Sequence, residues 1–133
     1  MNAELIVATA RAWLGTPYRH LAATRGAGCD CLGLIRGVWR DLYGVLPEVP
    51  NYRADLRDPR DLLAAATERL APAEQDAGAI VLFRLGAQPR HCGILVGPTR
   101  FIHAQERVGV VEVNLTEGWA RRVVGCFAFP EGV

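Results

Sequence analysis

Three side chains carry the chemistry that this sequence suggests. Cys31 stands in Gly28-Cys29-Asp30-Cys31-Leu32-Gly33-Leu34, His91 in Arg90-His91-Cys92-Gly93-Ile94, and His103 in Phe101-Ile102-His103-Ala104. A cysteine attacks as thiolate, and an ordinary thiol with a pKa near about 8.5 is mostly protonated at neutral pH. A helix N-terminus and an adjacent imidazole both lower that value. The imidazole that takes the proton needs its second ring nitrogen held by another polar group. Cys31 supplies a nucleophile, His91 a base and His103 an orienting partner, which together suit a cysteine amidase or peptidase. Each has a plainer reading alone: free cysteine is often a small core residue, and a single histidine is commonly structural. The chain has only three histidines, and two of them fall on neighbouring strand-like runs, which favours the joint reading. The third, His20, sits in a loop near the expected cleft mouth and has no assigned role.

Composition removes several rivals. The chain has no serine and no lysine, and all 15 of its Lys+Arg residues are arginine. A serine hydrolase, a lysine Schiff-base enzyme and a P-loop with its lysine are thereby excluded. The net charge is +1 with both signs interspersed, so no basic stripe points to nucleic acid. No apolar run approaches the roughly 18 residues of a membrane span. The N-terminus lacks a signal-peptide pattern, which leads us to expect synthesis in the cytoplasm with reduced cysteines. A zinc site drawn from Cys29, Cys31, His91, Cys92 and Cys126 is the main chemical alternative. The spacing opposes it: C-x-C is a poor knuckle, and His91 and Cys92, as strand neighbours, should point to opposite faces. Cys92 and Cys126 then read as core residues of two strands.

The elements needed to position these groups are legible in the periodicity. At 133 residues the chain is expected to form one domain, 1–133, with a single core. Apolar residues at helical spacing predict a first helix over 2–14, capped by Asn2 and stopped by Gly15-Thr16-Pro17. Residues 18–29 read as a loop. Asp30 is placed to cap a second helix from Cys31 to Tyr43, closed by Gly44; Gly33 within it permits close packing. Segment 46–57 reads as a surface connection and a docking candidate, and Asp58-Pro59 opens a third helix to about Leu70. From Ala79 onward the pattern changes to strands: 80–83, 93–96, 100–104, 108–113 and 123–129. Helices first and strands afterwards predict an α+β fold with an antiparallel sheet.

The chain resembles the NlpC/P60 family of cell-wall cysteine peptidases. The matching pieces are Trp13-Leu14-Gly15-Thr16-Pro17-Tyr18, Asp30-Cys31-Leu32-Gly33-Leu34, His91-Cys92-Gly93-Ile94 and Phe101-Ile102-His103-Ala104. The resemblance spans nearly the whole chain and is strongest to small single-domain members encoded with phage tails and gene transfer agents, which share the Phe127-Ala128-Phe129-Pro130 ending. It implies a papain-like fold with N-terminal helices packed on an antiparallel β-sheet. It implies Cys31 as nucleophile, His91 as base and His103 as the orienting residue, with Tyr18 lining the site and Asp30 helping to bind a stem-peptide amine. The implied activity is hydrolysis of peptidoglycan stem peptides, commonly between D-γ-glutamate and diaminopimelate, with no cofactor. Implied partners are tail-tip or baseplate hub proteins, with action in the cell envelope. Two departures stand out: Leu32 replaces a serine used by many members in substrate binding, and Ala77-Gly78-Ala79 replaces proline-glycine-aspartate. Two alternatives remain: a structural tail-tip component that keeps the fold, and a thiol acyltransferase or amidase acting on another substrate.

Overall fold

A computed structural model describes residues 2–45 and 70–131. Helix α1 covers Ala3–Arg11. The Asn2 side chain caps it by accepting from the backbone N–H groups of Glu4, at 2.7 Å, and Leu5, at 3.4 Å. Ile6, Val7 and Ala10 bury one face of it. The predicted helix ran three residues further. The chain instead turns after Arg11, and Trp13 goes fully into the core, where its indole N–H donates to Asp41 at 2.9 Å.

The stretch expected as a plain loop contains a two-residue hairpin, β1 (Ala23–Thr24) against β2 (Gly28–Cys29). Backbone bonds Cys29 N–H to Pro17 O and Arg19 N–H to Cys29 O, each 3.0 Å, bind it to the Tyr18 segment. Strands this short carry no periodicity of their own, so only the structure reveals them.

Helix α2 is Cys31–Tyr43, with the predicted cap at Asp30 and Gly44 in the left-handed conformation at its end. Gly33 is required by packing. A Cβ there would collide with the carbonyl oxygen of Ala22, so only glycine lets the first turn of α2 lie against the hairpin.

The sheet is built from β3 (Ile80–Leu85), β4 (Gln88–Gly97), β5 (Arg100–Gln105), β6 (Gly109–Asn114) and β7 (Val123–Phe127), in the order β6-β5-β4-β3-β7, antiparallel throughout. β3 and β4 begin or end a few residues beyond their predicted limits, because the hairpin joining them carries the ladder outward. A short helix, α3 (Glu117–Ala120), was not predicted. Ile80, Leu82, Ile94, Ile102 and Ala104 face α1 and α2 across the main core. Val81, Phe83, Leu95 and Phe101 form a second apolar layer, against which Trp119 packs. Helices on one face of an antiparallel sheet make the expected α+β architecture. The predicted third helix and the docking segment 46–57 lie outside the described residues.

Candidate active site

Asp30 fixes the position of Cys31. It is 1 % exposed, and its carboxylate accepts from the Gly33 N–H at 2.7 Å and the Leu21 N–H at 2.8 Å. One carboxylate therefore caps α2 and clamps the preceding loop to it. His20, unassigned from the sequence, places Nδ1 3.5 Å from the same group. The thiol of Cys31 consequently sits in the first turn, where the helix dipole is positive.

β4 and β5 bring up the two imidazoles. His91 Nε2 lies 2.7 Å from His103 Nδ1, with the rings nearly perpendicular. His103 is 2 % exposed. Burial, then the nearby charge of His91, pushes its pKa down to about 3. A neutral His103 accepts at Nδ1 when its own proton is on Nε2. That fixes the His91 proton on Nε2 and leaves His91 Nδ1 free to act as a base. Trp119 on α3 supports both rings, with centroids 5.7 Å from His91 and 5.4 Å from His103. Sequence reasoning missed this residue, because a helix of four residues has too little periodicity to be seen.

The thiol of Cys31 is held well below its ordinary pKa. A hydrogen bond from Cys92 contributes most, followed by the hydrogen bond and charge of His91, all against the opposing effect of burial. Cys92 is pushed the other way by the same contact and by its burial, so of the two thiols it is the one that keeps its proton. His91 and Cys92 take opposite faces of β4, as strand alternation predicts: His91 stacks with Phe83, whereas Cys92 lies in the main core with Leu82. Just before His91 the ladder is bulged, since β3 and β4 pair Phe83 with His91 but Arg84 with Pro89. Arg90 is the extra residue, and such an insertion bends and twists a strand locally. Cys29, next to the nucleophile in sequence, is unlike it. Desolvation, then the charges of Asp30 and Cys31, push it up to about 12.

The site opens into a cleft of about 450 Å³ lined in part by Tyr18, Cys31, Arg90, His91, Glu106 and Trp119. Tyr18 lies where it was expected, with its pKa raised by burial and then by the charge of Cys31. Asp30 does not line the cleft; Glu106, on the turn between β5 and β6, is the carboxylate that does. Among the described residues no three His, Cys, Asp or Glu side chains are grouped to hold a metal ion.

The NlpC/P60 family model matches residues 15–127. The chain belongs to the NlpC/P60 family. It is 30% identical over 111 residues to the Murein DD-endopeptidase MepS/Murein LD-carboxypeptidase of Escherichia coli, covering 83% of this chain and 54% of that protein. It is 28% identical over 130 residues to the Gamma-DL-glutamyl hydrolase of Bacillus subtilis, covering 93% of this chain and 29% of the relative. The chain thus spans about half or less of these relatives' length. The crystal structure of the NlpC/p60 domain of the peptidoglycan hydrolase SagA superposes with a TM-score of 0.69 at 21% identity, covering 97% of this chain and 100% of that one. An NLP/P60 family protein similar to lipoprotein from Staphylococcus aureus gives a TM-score of 0.68 at 22% identity, covering 98% of this chain and 42% of the other. These likenesses establish the papain-like NlpC/P60 fold.

Proposed function

We propose that this NlpC/P60 chain is a cysteine endopeptidase that hydrolyses peptidoglycan stem peptides. One observation carries the reading: an activated thiol at a helix N-terminus shares an open cleft with an imidazole whose far nitrogen is held 2.7 Å from a neutral histidine. His91 holds the proton taken from Cys31, and the thiolate attacks the amide carbonyl. The Gly33 N–H is occupied by Asp30 and the Leu34 N–H bonds to the Asp30 carbonyl. The N–H groups of Cys31 and Leu32 are the donors left in the first turn, available to stabilise an oxyanion formed beside the sulfur. His91 then protonates the leaving amine and activates the water that frees the acyl-enzyme.

The name of the Escherichia coli relative supports a murein peptide substrate, and the two names point to different bonds: DD and LD linkages for that protein and a γ-DL-glutamyl linkage for the Bacillus subtilis one. We favour the D-γ-glutamyl–diaminopimelate bond. Delivery by a phage-like tail, against hub proteins of its tip, belongs to the same proposal; its support is the sequence resemblance of the Phe127-Ala128-Phe129-Pro130 ending alone. The test is mass spectrometry of soluble products from purified sacculi treated with the chain or with Cys31→Ala. Stem fragments broken after γ-glutamate, and none with Cys31→Ala, are expected. Equal products from both forms would refute the mechanism.

A further inference from the structure

Arg90 is the extra residue of the β4 bulge, so the chain there leaves regular alternation just before the catalytic histidine. The side chain lines the same cleft as Cys31 and is half-buried. Its Nε is shut off from solvent and has no hydrogen-bond partner among the described residues. Other arginines have found theirs. Arg11 and Arg100 bond to Glu112, Arg84 to the carbonyls of Gly86 and Arg121, and Arg40 to the carbonyl of Ala23. Glu106 lines the cleft as well, yet makes no ion pair with Arg90 among the described residues. Arg90 lines the cleft while its unpaired Nε is shut off behind the cleft wall; leaving that donor unpaired is costly, and a ligand that draws the guanidinium into the cleft relieves the cost. The planar fork of arginine fits a carboxylate with two parallel bonds.

We propose that Arg90 forms a carboxylate-binding subsite beside Cys31. This deepens the peptidase reading and rests on it for the identity of the substrate. A glutamate linked through its γ-carboxyl keeps its α-carboxylate free, a few bonds from the scissile carbonyl. The terminal carboxylate of a stem peptide offers the same chemistry from a second source. Trp119 and Leu85 give the subsite an apolar border, which excludes water and strengthens a charged pair.

The first experiment needs no substrate. Alkylation rates at Cys31 are measured with iodoacetate and with iodoacetamide, for the native chain, Arg90→Gln and Arg90→Lys. The two reagents differ only in the carboxylate. Loss of a charged hydrogen bond predicts that the iodoacetate-to-iodoacetamide ratio falls about tenfold in Arg90→Gln, with the iodoacetamide rate kept and Arg90→Lys in between. An equal ratio in all three forms overturns the proposal. The second experiment compares stem peptides amidated at the γ-linked glutamate or at the chain end. Amidation at the recognised position raises KM of the native chain about tenfold with kcat little changed, and Arg90→Gln no longer discriminates. Native KM values indifferent to both amidations also overturn it. If no stem peptide is cleaved, the peptidase reading fails, and the alkylation ratio still decides the subsite.

Discussion

Cys31 is one of four buried free thiols, and its surroundings set it apart. Cys29 and Cys126 meet mainly desolvation, which raises a thiol pKa. Cys31 meets two donors and a helix N-terminus. Cys92 is the donor that the sequence did not reveal as one: as a strand residue beside a histidine it reads as core, and it is 2 % exposed. Its contact with the nucleophile depends on how β4 meets α2, which no local pattern encodes. Cys92→Ala removes the S–H without adding bulk to this buried site. The expected result is a Cys31 alkylation midpoint moved up by about one pH unit. A midpoint unchanged from the native chain would assign Cys92 to packing alone.

At the scale of elements, the positions of α2, β4 and β5 were legible because each announces itself through caps and periodicity. Asp30 and Gly44 bracket α2 as predicted, and the glycine-proline turn between β4 and β5 places His103 near His91. The hairpin β1–β2, the helix α3 and the bulge at Arg90 were not legible. Each involves too few residues to leave a period, and a bulge is a property of two strands together. Gly33 joins these levels, since its missing side chain lets the α2 N-terminus touch the backbone of Ala22. Gly33→Ala forces helix and hairpin apart and is expected to cost about 1–3 kcal/mol, read from urea denaturation. A stability equal to the native chain would mean that the hairpin yields without cost.

Across the whole molecule, the active site and the stability of the fold share a buried imidazole. His103 is neutral in the folded chain because burial lowers its pKa to about 3, whereas an unfolded histidine titrates near about 6.5. Between those values the unfolded chain binds the extra proton. Stability from this group is therefore complete above about pH 6.5 and is lost as pH falls toward about 3, by about 3–5 kcal/mol at most. His103→Gln should flatten that acid limb of a stability-against-pH curve, and an unchanged slope would place the acid sensitivity elsewhere. The fold class and three members of the site were readable from residue order. The cleft wall of Arg90, Glu106 and Trp119 was not, because it is assembled from a bulge, a turn and a short helix far apart in sequence.

The claim on which the rest depends is that Cys31 is a thiolate at neutral pH, held by Cys92 and His91. The direct measurement is the pH dependence of iodoacetamide alkylation, with the modified residue located by peptide mapping. The account predicts that Cys31 reacts first and that its rate has its midpoint well below about 8.5. A Cys31 that stays unmodified, or reacts only with the midpoint of an ordinary thiol, would contradict it.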